Sequence, residues 1–326
     1  MQATAQAQPN IALIKYWGKR DTVANLPAVD SLSITLEALW TRTRVRFDPE
    51  LNSDEICIDG DTDTTESARV SACLDSLRRR AGTHCRAQVD SRNNFPKGAG
   101  LASSASGFAA LVTAAAAALD LPLSAAERSN VARRASGSAA RSVFGGFVQM
   151  PTPPGVAEVF AEPLLDADQW PLDVLVALTS QTQKAVGSTA GMVLTARTSP
   201  YYRAWVDGSR RDFLTARAAV LSRDFDALAA VAEHSCLKMH GVMLAANPGL
   251  VYWNGGTTEA VHCVRELRRL GTPVFFTVDA GPQLKAICPP EHAAAVGAAL
   301  RDIRGVTEVL HSRLGRGARL IDPSPT

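Results

Sequence analysis

The chain has 326 residues, of which 46% are hydrophobic and 20% are charged, a composition typical of a soluble globular protein of about two domains. Its formal net charge of +2 gives no basis for a nucleic-acid-binding surface. We expect neither a membrane span nor a secretion signal. No apolar run reaches the roughly 18 residues that a span needs, and no basic segment precedes an apolar one at the start.

Cysteine and histidine are too scattered to indicate a metal site. The cysteines form no C-x-x-C pair and, with the six histidines, no zinc-binding spacing. We therefore expect reduced, mostly buried thiols, as in a cytoplasmic protein. The cysteines are Cys57, Cys73, Cys85, Cys236, Cys263 and Cys288. Two arginine runs, Arg78-Arg79-Arg80 and Arg133-Arg134, are interpreted as solvated helix faces.

The N-terminal half begins with strands and continues with helices. Residues 10–48 are predicted to form strands, because apolar and polar side chains alternate there. Apolar residues at helical spacing predict a helix around residues 70–77, with Gly82 as its C-terminal stop. An alanine-rich helix is predicted over residues 108–119, and the capping box Ser124-Ala125-Ala126-Glu127 predicts another that reaches about Ala135.

The C-terminal half is predicted to be mostly helical. Val174–Leu178 is expected to be a buried strand, and Val274–Val278 is the one other well-marked strand, ending at Asp279. A proline-rich, polar connection separates the halves, so we place the domains at residues 1–168 and 169–326. Strands followed by segregated helices predict an α+β fold.

A run of small residues from Phe95 to Gly107 precedes the alanine-rich helix. Glycine lets the backbone approach a ligand closely, and a helix N-terminus presents unpaired N–H groups to an anion. The run matches neither the common P-loop nor a dinucleotide motif. It is interpreted either as a phosphate-binding loop or as a turn before a buried helix.

Four further segments place charged or hydroxyl side chains among small residues. Lys15 and Lys19 flank Tyr16-Trp17-Gly18 and form either an anion site or a solvent-facing pair. The run from Ser136 to Arg141 is either a carboxylate- or phosphate-binding segment or a helix end with an exposed arginine. Asp279 is either a general base at a buried strand end or a turn-initiating residue. Lys184 precedes Gly187-Ser188-Thr189 in either a ligand-binding or a plain surface loop.

Taken together, these segments resemble the diphosphomevalonate decarboxylases, a branch of the small-molecule kinase superfamily that includes galactokinase, homoserine kinase, mevalonate kinase and phosphomevalonate kinase. The K-Y-W-G-K-R-D run at residues 15–21 and the D-A-G-P run at residues 279–282 are specific to that branch. The other matching segments are residues 10–14, 94–107, 136–147, 187–192, 239–244 and 277–278, in family order over most of the chain.

The resemblance implies a two-domain fold, with an N-terminal domain like ribosomal protein S5 domain 2 and a C-terminal ferredoxin-like domain. It also implies ATP-dependent phosphorylation of the C3 hydroxyl of a mevalonate derivative, followed by loss of phosphate and CO2 to give an alkene. Asp279 would deprotonate or orient that hydroxyl, Lys15 would offset charge on the phosphoryl group, and Arg141 would hold the substrate carboxylate.

The remaining roles also follow from the resemblance. ATP would bind along Lys97, Gly98, Ala99, Gly100, Leu101, Ala102, Ser103 and Ser104, and the Ser104 hydroxyl would contact Mg2+. The phosphate end of the substrate would lie against Tyr16, Lys19, Ser136, Ser138, Ser188 and Thr189. We expect a cytoplasmic homodimer that binds neither nucleic acid nor membranes.

Two departures from the family pattern leave alternatives open. Val29-Asp30-Ser31 replaces an Asn-Ser-Ser or Asn-Asn-Ser run, and relatives that act on the monophosphate carry an Asp-Ser of this kind. Asp30 would then limit the negative charge that the site accepts, and 5-phosphomevalonate is the alternative substrate. If Lys19 or Arg20 neutralises Asp30, the diphosphate would still bind well. Lys97-Gly98 replaces Thr-Ala, and Lys97 is either a nucleotide contact or exposed. A catalytically idle nucleotide-binding regulator is the third hypothesis.

Overall fold

The computed structural model describes residues 1–62, 66–95, 103–180, 182 and 184–322. The strands of the N-terminal half are β1 (Gln2–Ala7), β2 (Asn10–Ile14), β3 (Lys19–Asp21), β4 (Leu26–Pro27), β5 (Ser31–Thr35), β6 (Thr41–Asp48), β7 (Glu55–Ile58), β8 (Arg86–Asn93), β9 (Phe147–Met150) and β10 (Glu162–Leu165). Its helices are α1 (Ser67–Ala81), α2 (Ser103–Ala118), α3 (Ala125–Ala135) and α4 (Ala139–Ser142).

The C-terminal half adds five α-helices, one 3-10 helix (Pro290–His292) and five strands to the described elements. The strands are β11 (Asp173–Leu178), β12 (Phe275–Val278), β13 (Leu284–Cys288), β14 (Glu308–Arg313) and β15 (Arg319–Ile321). The helices are α5 (Ser188–Thr198), α6 (Tyr202–Ser222), α7 (Phe225–Leu244), α8 (Gly255–Arg269) and α9 (Ala293–Arg301). Within the described ranges, no helix is both long and apolar enough to cross a bilayer.

The strands form three larger sheets and one short hairpin. Their orders are β15-β1-β6-β8-β7, β10-β9-β5-β2, β12-β13-β11-β14 and β3-β4. The β7–β8 pair is parallel, whereas the neighbouring β6–β8 pair is antiparallel. The chain's last strand, β15, pairs with its first, β1, so residues 319–321 join the N-terminal sheet. The predicted domain boundary at residue 168 stays a prediction.

Local sequence patterns explain why several elements form where they do. Strand β6 buries Thr41, Thr43, Val45 and Phe47 on alternate positions and turns its arginines to the other face. Helix α1 ends at Gly82, whose φ of 65° lies in the left-handed region that glycine adopts readily. The capping box at the start of α3 is confirmed, since the Ser124 and Glu127 side chains each bind the other residue's backbone N–H.

One hydrophobic core lies within the N-terminal half, and a second joins the two halves. The alanine-rich face of α2 packs with α1 against the first sheet. A second core combines Ile11 and Leu32 of the second sheet with Val174 of the third sheet and Leu228 of α7. Because this core includes side chains from both halves, it fixes the second and third sheets relative to each other.

The ends of β2 and β12 meet in the second core. The Thr277 hydroxyl donates a hydrogen bond of 3.2 Å to the carbonyl of Ala12, and the backbone N–H of Lys15 donates one of 3.0 Å to the Ser235 hydroxyl. These contacts span more than 200 residues of sequence. They place Lys15, just after β2, beside Asp279, just after β12.

The predicted helices and the N-terminal strands are confirmed, with corrections at their ends and in the second half. Helix α2 begins at Ser103, earlier than residue 108, and β1 was not predicted. The second half contains β13, β14 and β15 besides the two predicted strands, so it is less helical than predicted. Strand β13 is fully buried although its sequence, Leu-Lys-Ala-Ile-Cys, includes a lysine, which hid its strand character.

The interpretation of both arginine runs as solvated faces is wrong for one residue in each run. Arg78 is buried, pairs with Asp54 and donates a hydrogen bond of 2.8 Å to the carbonyl of Cys85. Arg133 is fully buried and donates to the carbonyls of Ala24, Asn25 and Val159 at 2.8–2.9 Å. A buried guanidinium needs such partners because its charge loses water on folding.

Replacing Arg133 with methionine is expected to lower the free energy of unfolding by roughly 2–5 kcal/mol, because three backbone carbonyls lose their donor in the interior. Urea unfolding followed by circular dichroism measures the change. Arg134→Met is the matched control, since Arg134 is exposed on the same helix and its loss is expected to cost under about 0.5 kcal/mol. Equal unfolding midpoints for the two variants would contradict the structural role of Arg133.

Candidate active site

A cleft of about 1320 Å³ lies between the two halves. Sequence-predicted site residues from both halves line it together: Lys15, Tyr16, Lys19, Ser103, Ser104, Ser136, Ser138, Arg141, Ser188, Thr189 and Asp279. The predicted positions Lys97, Gly98, Ala99, Gly100, Leu101 and Ala102 lie outside the described residues. The location of the lining residues is thus established, whereas their individual roles stay predictions.

Asp279 is held between two lysines. Its Oδ1 lies 2.5 Å from Lys15 Nζ and its Oδ2 lies 3.4 Å from Lys285 Nζ, and both lysine side chains are about 1% exposed. Burial raises the pKa of the Asp279 carboxyl, but the two ammonium groups outweigh it and hold the pKa at about 2. Asp279 is therefore an ionised hydrogen-bond acceptor at neutral pH and a weak base.

Sequence reasoning missed Lys285. It lies on β13, where its backbone pairs with Thr277 of β12, two residues before Asp279. The available signal was a single lysine inside an otherwise apolar run that is long enough for a buried strand. A lysine in such a position is buried only when a carboxylate or ligand compensates its charge.

Arg141 lies in α4 with 2% of its surface exposed, so the interpretation as an exposed helix end is wrong. Its Nη1 donates to the Ser31 hydroxyl at 2.6 Å, and its Nε donates to the Ser33 hydroxyl at 3.1 Å and to Asn10 Oδ1 at 3.3 Å. Burial lowers the pKa of the guanidinium to about 10, so the charge is kept at neutral pH. The three neutral partners fix the guanidinium plane without neutralising it.

A row of hydroxyl groups connects the start of α2 with the segment before α4. The Ser136 hydroxyl lies 3.3 Å from that of Ser104 and 3.4 Å from that of Ser138. The Tyr16 hydroxyl lies beside this row, and no described residue forms a hydrogen bond with it. A Cβ atom at residue 137 would lie 2.3 Å from the Tyr16 hydroxyl, so only glycine fits there.

Burial raises the pKa of the Tyr16 phenol to about 12, so it keeps its proton and remains a donor. A buried donor without a partner loses free energy unless a ligand accepts its hydrogen bond. Tyr16 therefore indicates where an acceptor, such as a phosphate oxygen, would lie in the cleft.

The N-terminus of α5 adds cations and open N–H groups to the cleft. Lys184 Nζ donates to the Ser188 hydroxyl at 2.8 Å and to the carbonyl of Ala280 at 3.0 Å, so Lys184 belongs to the site rather than to a plain surface loop. Lys19 Nζ lies 3.5 Å from the Thr189 hydroxyl. Burial lowers the pKa of both lysines. A helix N-terminus beside two lysines favours an anionic ligand.

The start of α2 offers a site for a nucleotide phosphate and Mg2+. Ser103 and Ser104 lie in its first turn, where backbone N–H groups are unpaired. Mg2+ takes few protein ligands and completes its shell with phosphate oxygens and water. The described residues contain no group of three or more acidic, histidine or cysteine ligands. A hydroxyl ligand from Ser104 with ATP phosphates therefore fits this site.

Neither Lys19 nor Arg20 neutralises Asp30, so that alternative is wrong. Its Oδ2 lies 2.8 Å from Arg210 Nη1, and its Oδ1 accepts hydrogen bonds of 2.5 and 3.0 Å from the backbone N–H and hydroxyl of Thr152. Arg20 donates instead to backbone carbonyls, including that of Pro153 at 2.7 Å. Asp30 is not among the described residues that line the cleft, so its predicted effect on substrate charge has no direct contact to support it.

Two family models match the chain, one in each half. The model described as "Diphosphomevalonate decarboxylase-like N-terminal domain" matches residues 7–154. The model described as "Mevalonate 5-diphosphate decarboxylase C-terminal domain" matches residues 174–319. The matched segments lie on either side of the predicted domain boundary.

Individual relatives match most of the chain. A diphosphomevalonate decarboxylase from Ganoderma lucidum is 37% identical over 320 residues, covering 89% of this chain and 79% of the relative. A phosphomevalonate decarboxylase from Haloferax volcanii is 33% identical over 329 residues, covering 99% of each chain. A solved structure described as "MDDEF in complex with MVAPP, AMPPCP and Magnesium" has a TM-score of 0.91 at 38% identity, covering 99% of each chain.

The folded chain thus matches the two-domain architecture of these relatives. The resemblance to the diphosphomevalonate decarboxylases is confirmed by the two family models, which match one half each. It is also confirmed by a relative that is 37% identical over most of its length. The chain belongs to the diphosphomevalonate decarboxylase family.

Proposed function

We propose that this enzyme uses ATP and Mg2+ to decarboxylate 5-diphosphomevalonate, giving isopentenyl diphosphate. The observation that carries the proposal is the charge at the centre of the cleft. Four cationic side chains, Lys15, Lys184, Lys285 and Arg141, surround the carboxylate of Asp279. Four cations against one carboxylate leave three positive charges in a mostly buried region, a surplus that an anionic ligand would compensate.

A substrate with a carboxylate at one end and phosphates at the other suits this distribution. The solved relative described above binds MVAPP, AMPPCP and magnesium. Its similarity over 99% of both chains supports the same ligand classes here: a diphosphorylated mevalonate, an adenine nucleotide and Mg2+. The Tyr16 hydroxyl, which is buried without a hydrogen-bond partner among the described residues, and the N-terminus of α5 supply donors for the phosphate end.

In the first step, the chain's residues prepare the C3 hydroxyl. Bound ATP supplies the phosphoryl group that turns this tertiary hydroxyl into a good leaving group. Asp279 accepts the hydroxyl's hydrogen bond and orients its oxygen. As the oxygen–phosphorus bond forms, the bond from the γ-phosphorus to ADP would break and the hydroxyl proton would pass to Asp279. A pKa of about 2 favours this orienting role over abstraction of the proton in advance. Lys15 offsets negative charge on the phosphoryl group.

In the second step, phosphate and CO2 leave the substrate. The carbon–oxygen bond at C3 breaks toward the phosphate, so positive charge develops at C3. Arg141 holds the carboxylate in place, and the electrons of the carbon–carboxylate bond flow to C3 to form the alkene. The rigid Ser31, Ser33 and Asn10 contacts keep Arg141 aligned during this step.

The phosphate end is held by donors rather than by a reacting group. Lys19 and Lys184, with the Ser188 and Thr189 hydroxyls, form one side of this region. Tyr16, Ser136 and Ser138 form the other side. These donors remain unchanged through the reaction, so their removal is expected to raise KM more than it lowers kcat.

A second candidate substrate is 5-phosphomevalonate. The Haloferax volcanii phosphomevalonate decarboxylase aligns over 99% of both chains, whereas the Ganoderma lucidum relative aligns over 79% of its own length. The Asp-Ser run at Asp30-Ser31 is the sequence feature that favours the monophosphate. The surplus of cationic side chains over carboxylates around Asp279 favours the diphosphate.

The test is the purified protein with Mg-ATP and, separately, mevalonate, 5-phosphomevalonate and 5-diphosphomevalonate, with ADP and CO2 followed together. We expect equal amounts of ADP and CO2, and a kcat/KM at least about tenfold higher for the diphosphate, a difference of about 1.4 kcal/mol. A reversed preference would make the enzyme a phosphomevalonate decarboxylase. Nucleotide binding without turnover of any substrate would support the idle regulator.

We propose further that the protein works in the cytoplasm as a homodimer. All six cysteines lie in the described part of the chain as free thiols, which supports a reducing compartment. Sedimentation velocity at several protein concentrations tests the dimer, and a single species of monomer mass, 34.6 kDa, would contradict it.

A further inference from the structure

Lys285 and Lys15 approach the same carboxylate from differently constrained positions. Lys285 is in the middle of β13, between β12 and β11, and its backbone pairs with Thr277 and Val176. Lys15 follows the last residue of β2. Of these two lysines, Lys15 lines the cleft and Lys285 does not. Lys285 therefore reaches Asp279 from the side that faces away from the cleft.

The two lysines therefore differ in what they can contact. A ligand in the cleft can attract the Lys15 ammonium, whereas the Lys285 ammonium stays on Asp279 Oδ2, 3.4 Å away. In the proposed reaction, Lys15 serves the transferring phosphoryl group. If Lys15 were the sole counter-charge, its movement would leave a buried carboxylate unpaired, and such a carboxylate takes up a proton.

We propose that Lys285 is a positioning residue that keeps Asp279 ionised and fixes its Oδ2, so that Lys15 is released to the phosphoryl group while Oδ1 accepts the substrate hydroxyl. The proposal rests on the proposed function for the identity of the reacting groups. The pairing of Asp279 with a second cation, which can hold it without Lys15, does not depend on which substrate binds.

Several other titratable groups lie near Asp279. Arg141 faces the carboxylate and remains cationic, its pKa being about 10. Lys184, which donates to the carbonyl of Ala280, has a pKa lowered by burial and raised by Asp279. From α7, burial lowers the pKa of His240 to about 3 and raises the pKa of the Cys236 thiol, so both are neutral. Among these groups, a new titration near pH 5–6 in a variant would belong to Asp279.

Carbon-13 NMR of protein labelled at the aspartate side-chain carboxyl measures the titration midpoint of Asp279 without any turnover. It therefore tests whether Lys285 keeps Asp279 ionised. The Asp279 resonance is assigned from its loss in Asp279→Asn. In Lys15→Met, we expect Asp279 to stay ionised down to about pH 4.5, because Lys285 remains. In Lys15→Met/Lys285→Met, burial without either contacting ammonium is expected to raise its midpoint by at least about one pH unit. Equal midpoints in these two variants would overturn the proposal.

The kinetic test uses Lys285→Met with the substrate that the enzyme turns over. Because Lys285 does not line the cleft, we expect KM within about threefold of the wild-type value. We expect kcat to fall roughly 10–100-fold at pH 7, less than the loss of a general base itself. A further fall at pH 5.5 is expected, because in this variant Asp279 has no contacting ammonium once Lys15 has moved to the phosphoryl group, and its pKa then rises. An unchanged kcat, together with an unchanged dependence of kcat on pH below neutrality, would overturn the proposal.

Lys238→Met is the matched control, because it removes a lysine that pairs with an aspartate, Asp212, outside the cleft. Its kcat and pH profile are expected to match those of the wild type. Lys285→Gln replaces Lys285→Met in both experiments where the methionine variant does not fold. Inactivity of the wild-type enzyme on every mevalonate derivative would contradict the proposed function alone, since the NMR midpoints still decide the role of Lys285.

Discussion

Replacing Asp279 with asparagine is expected to abolish measurable turnover while nucleotide binding is retained. Asparagine keeps the shape of the side chain but removes the charge that orients the C3 hydroxyl and receives its proton. Loss of such a group costs about 10²–10⁴-fold in kcat, and the loss of alignment adds to that. Steady-state kinetics measure kcat, and fluorescence titration with a nucleotide analogue measures binding.

The two lysines that contact Asp279 also determine how Asp279→Asn is expected to bind nucleotide. In Asp279→Asn, Lys15 and Lys285 lose their shared counter-charge and repel each other, so the cleft becomes more positive. Nucleotide affinity is therefore expected to be equal to or greater than that of the wild type. Asp212→Asn, which removes the partner of Lys238 outside the cleft, is the control for losing a lysine–aspartate pair. Near-normal turnover by Asp279→Asn would exclude Asp279 from the chemical step.

Replacing Arg141 with lysine is expected to lower kcat/KM by about 100-fold or more, although the charge is kept. Lysine has no planar fork, so it cannot hold two carboxylate oxygens while also donating to Ser31 and Ser33. Each hydrogen bond to a charged group is worth about 1.5–3 kcal/mol. The loss of one such bond therefore accounts for a tenfold to hundredfold change.

The matched control for Arg141→Lys is Arg217→Lys, since Arg217 is exposed on α6 and donates to Gln149 outside the cleft. Its kcat/KM is expected to stay within about twofold of the wild-type value. Product analysis separates the two steps for Arg141→Lys. If ADP forms faster than CO2, Arg141 acts mainly in decarboxylation, whereas equal losses indicate a role in substrate binding. Full activity of the lysine variant would contradict both roles.

Sequence reasoning succeeded where structure depends on neighbouring residues. The capping box at Ser124 and the left-handed stop at Gly82 are local features, and both are confirmed. The motif runs around Lys15, Arg141 and Asp279 identified the family, and the structure gathers all three in one cleft. Helix and strand periodicities report which face of an element is buried, because side chains repeat at fixed intervals along the backbone.

The sequence-based predictions failed where a charged residue is buried by contacts that only the folded chain makes. Arg133 was predicted to be solvated, yet it is enclosed and donates to backbone carbonyls of other segments. Lys285 was not predicted, because its partner is a carboxylate at the end of the adjoining strand. Asp30 was expected near the substrate, but it binds Thr152 and Arg210. No local pattern distinguishes a solvated charge from one whose partner lies 100 or more residues away.

The sequence by itself determined the family and most of the element types, because local periodicity and short motifs are properties of contiguous chain. The roles that it assigns to the site residues stay predictions. Only the tertiary structure decided which charges are compensated. Lys15 and Lys285 meet at Asp279 because β2 packs against β12 and because β12 pairs with β13 in a specific register. The energy of a charge in the interior depends on the distance to its partners, and those distances are set by the order and register of the strands.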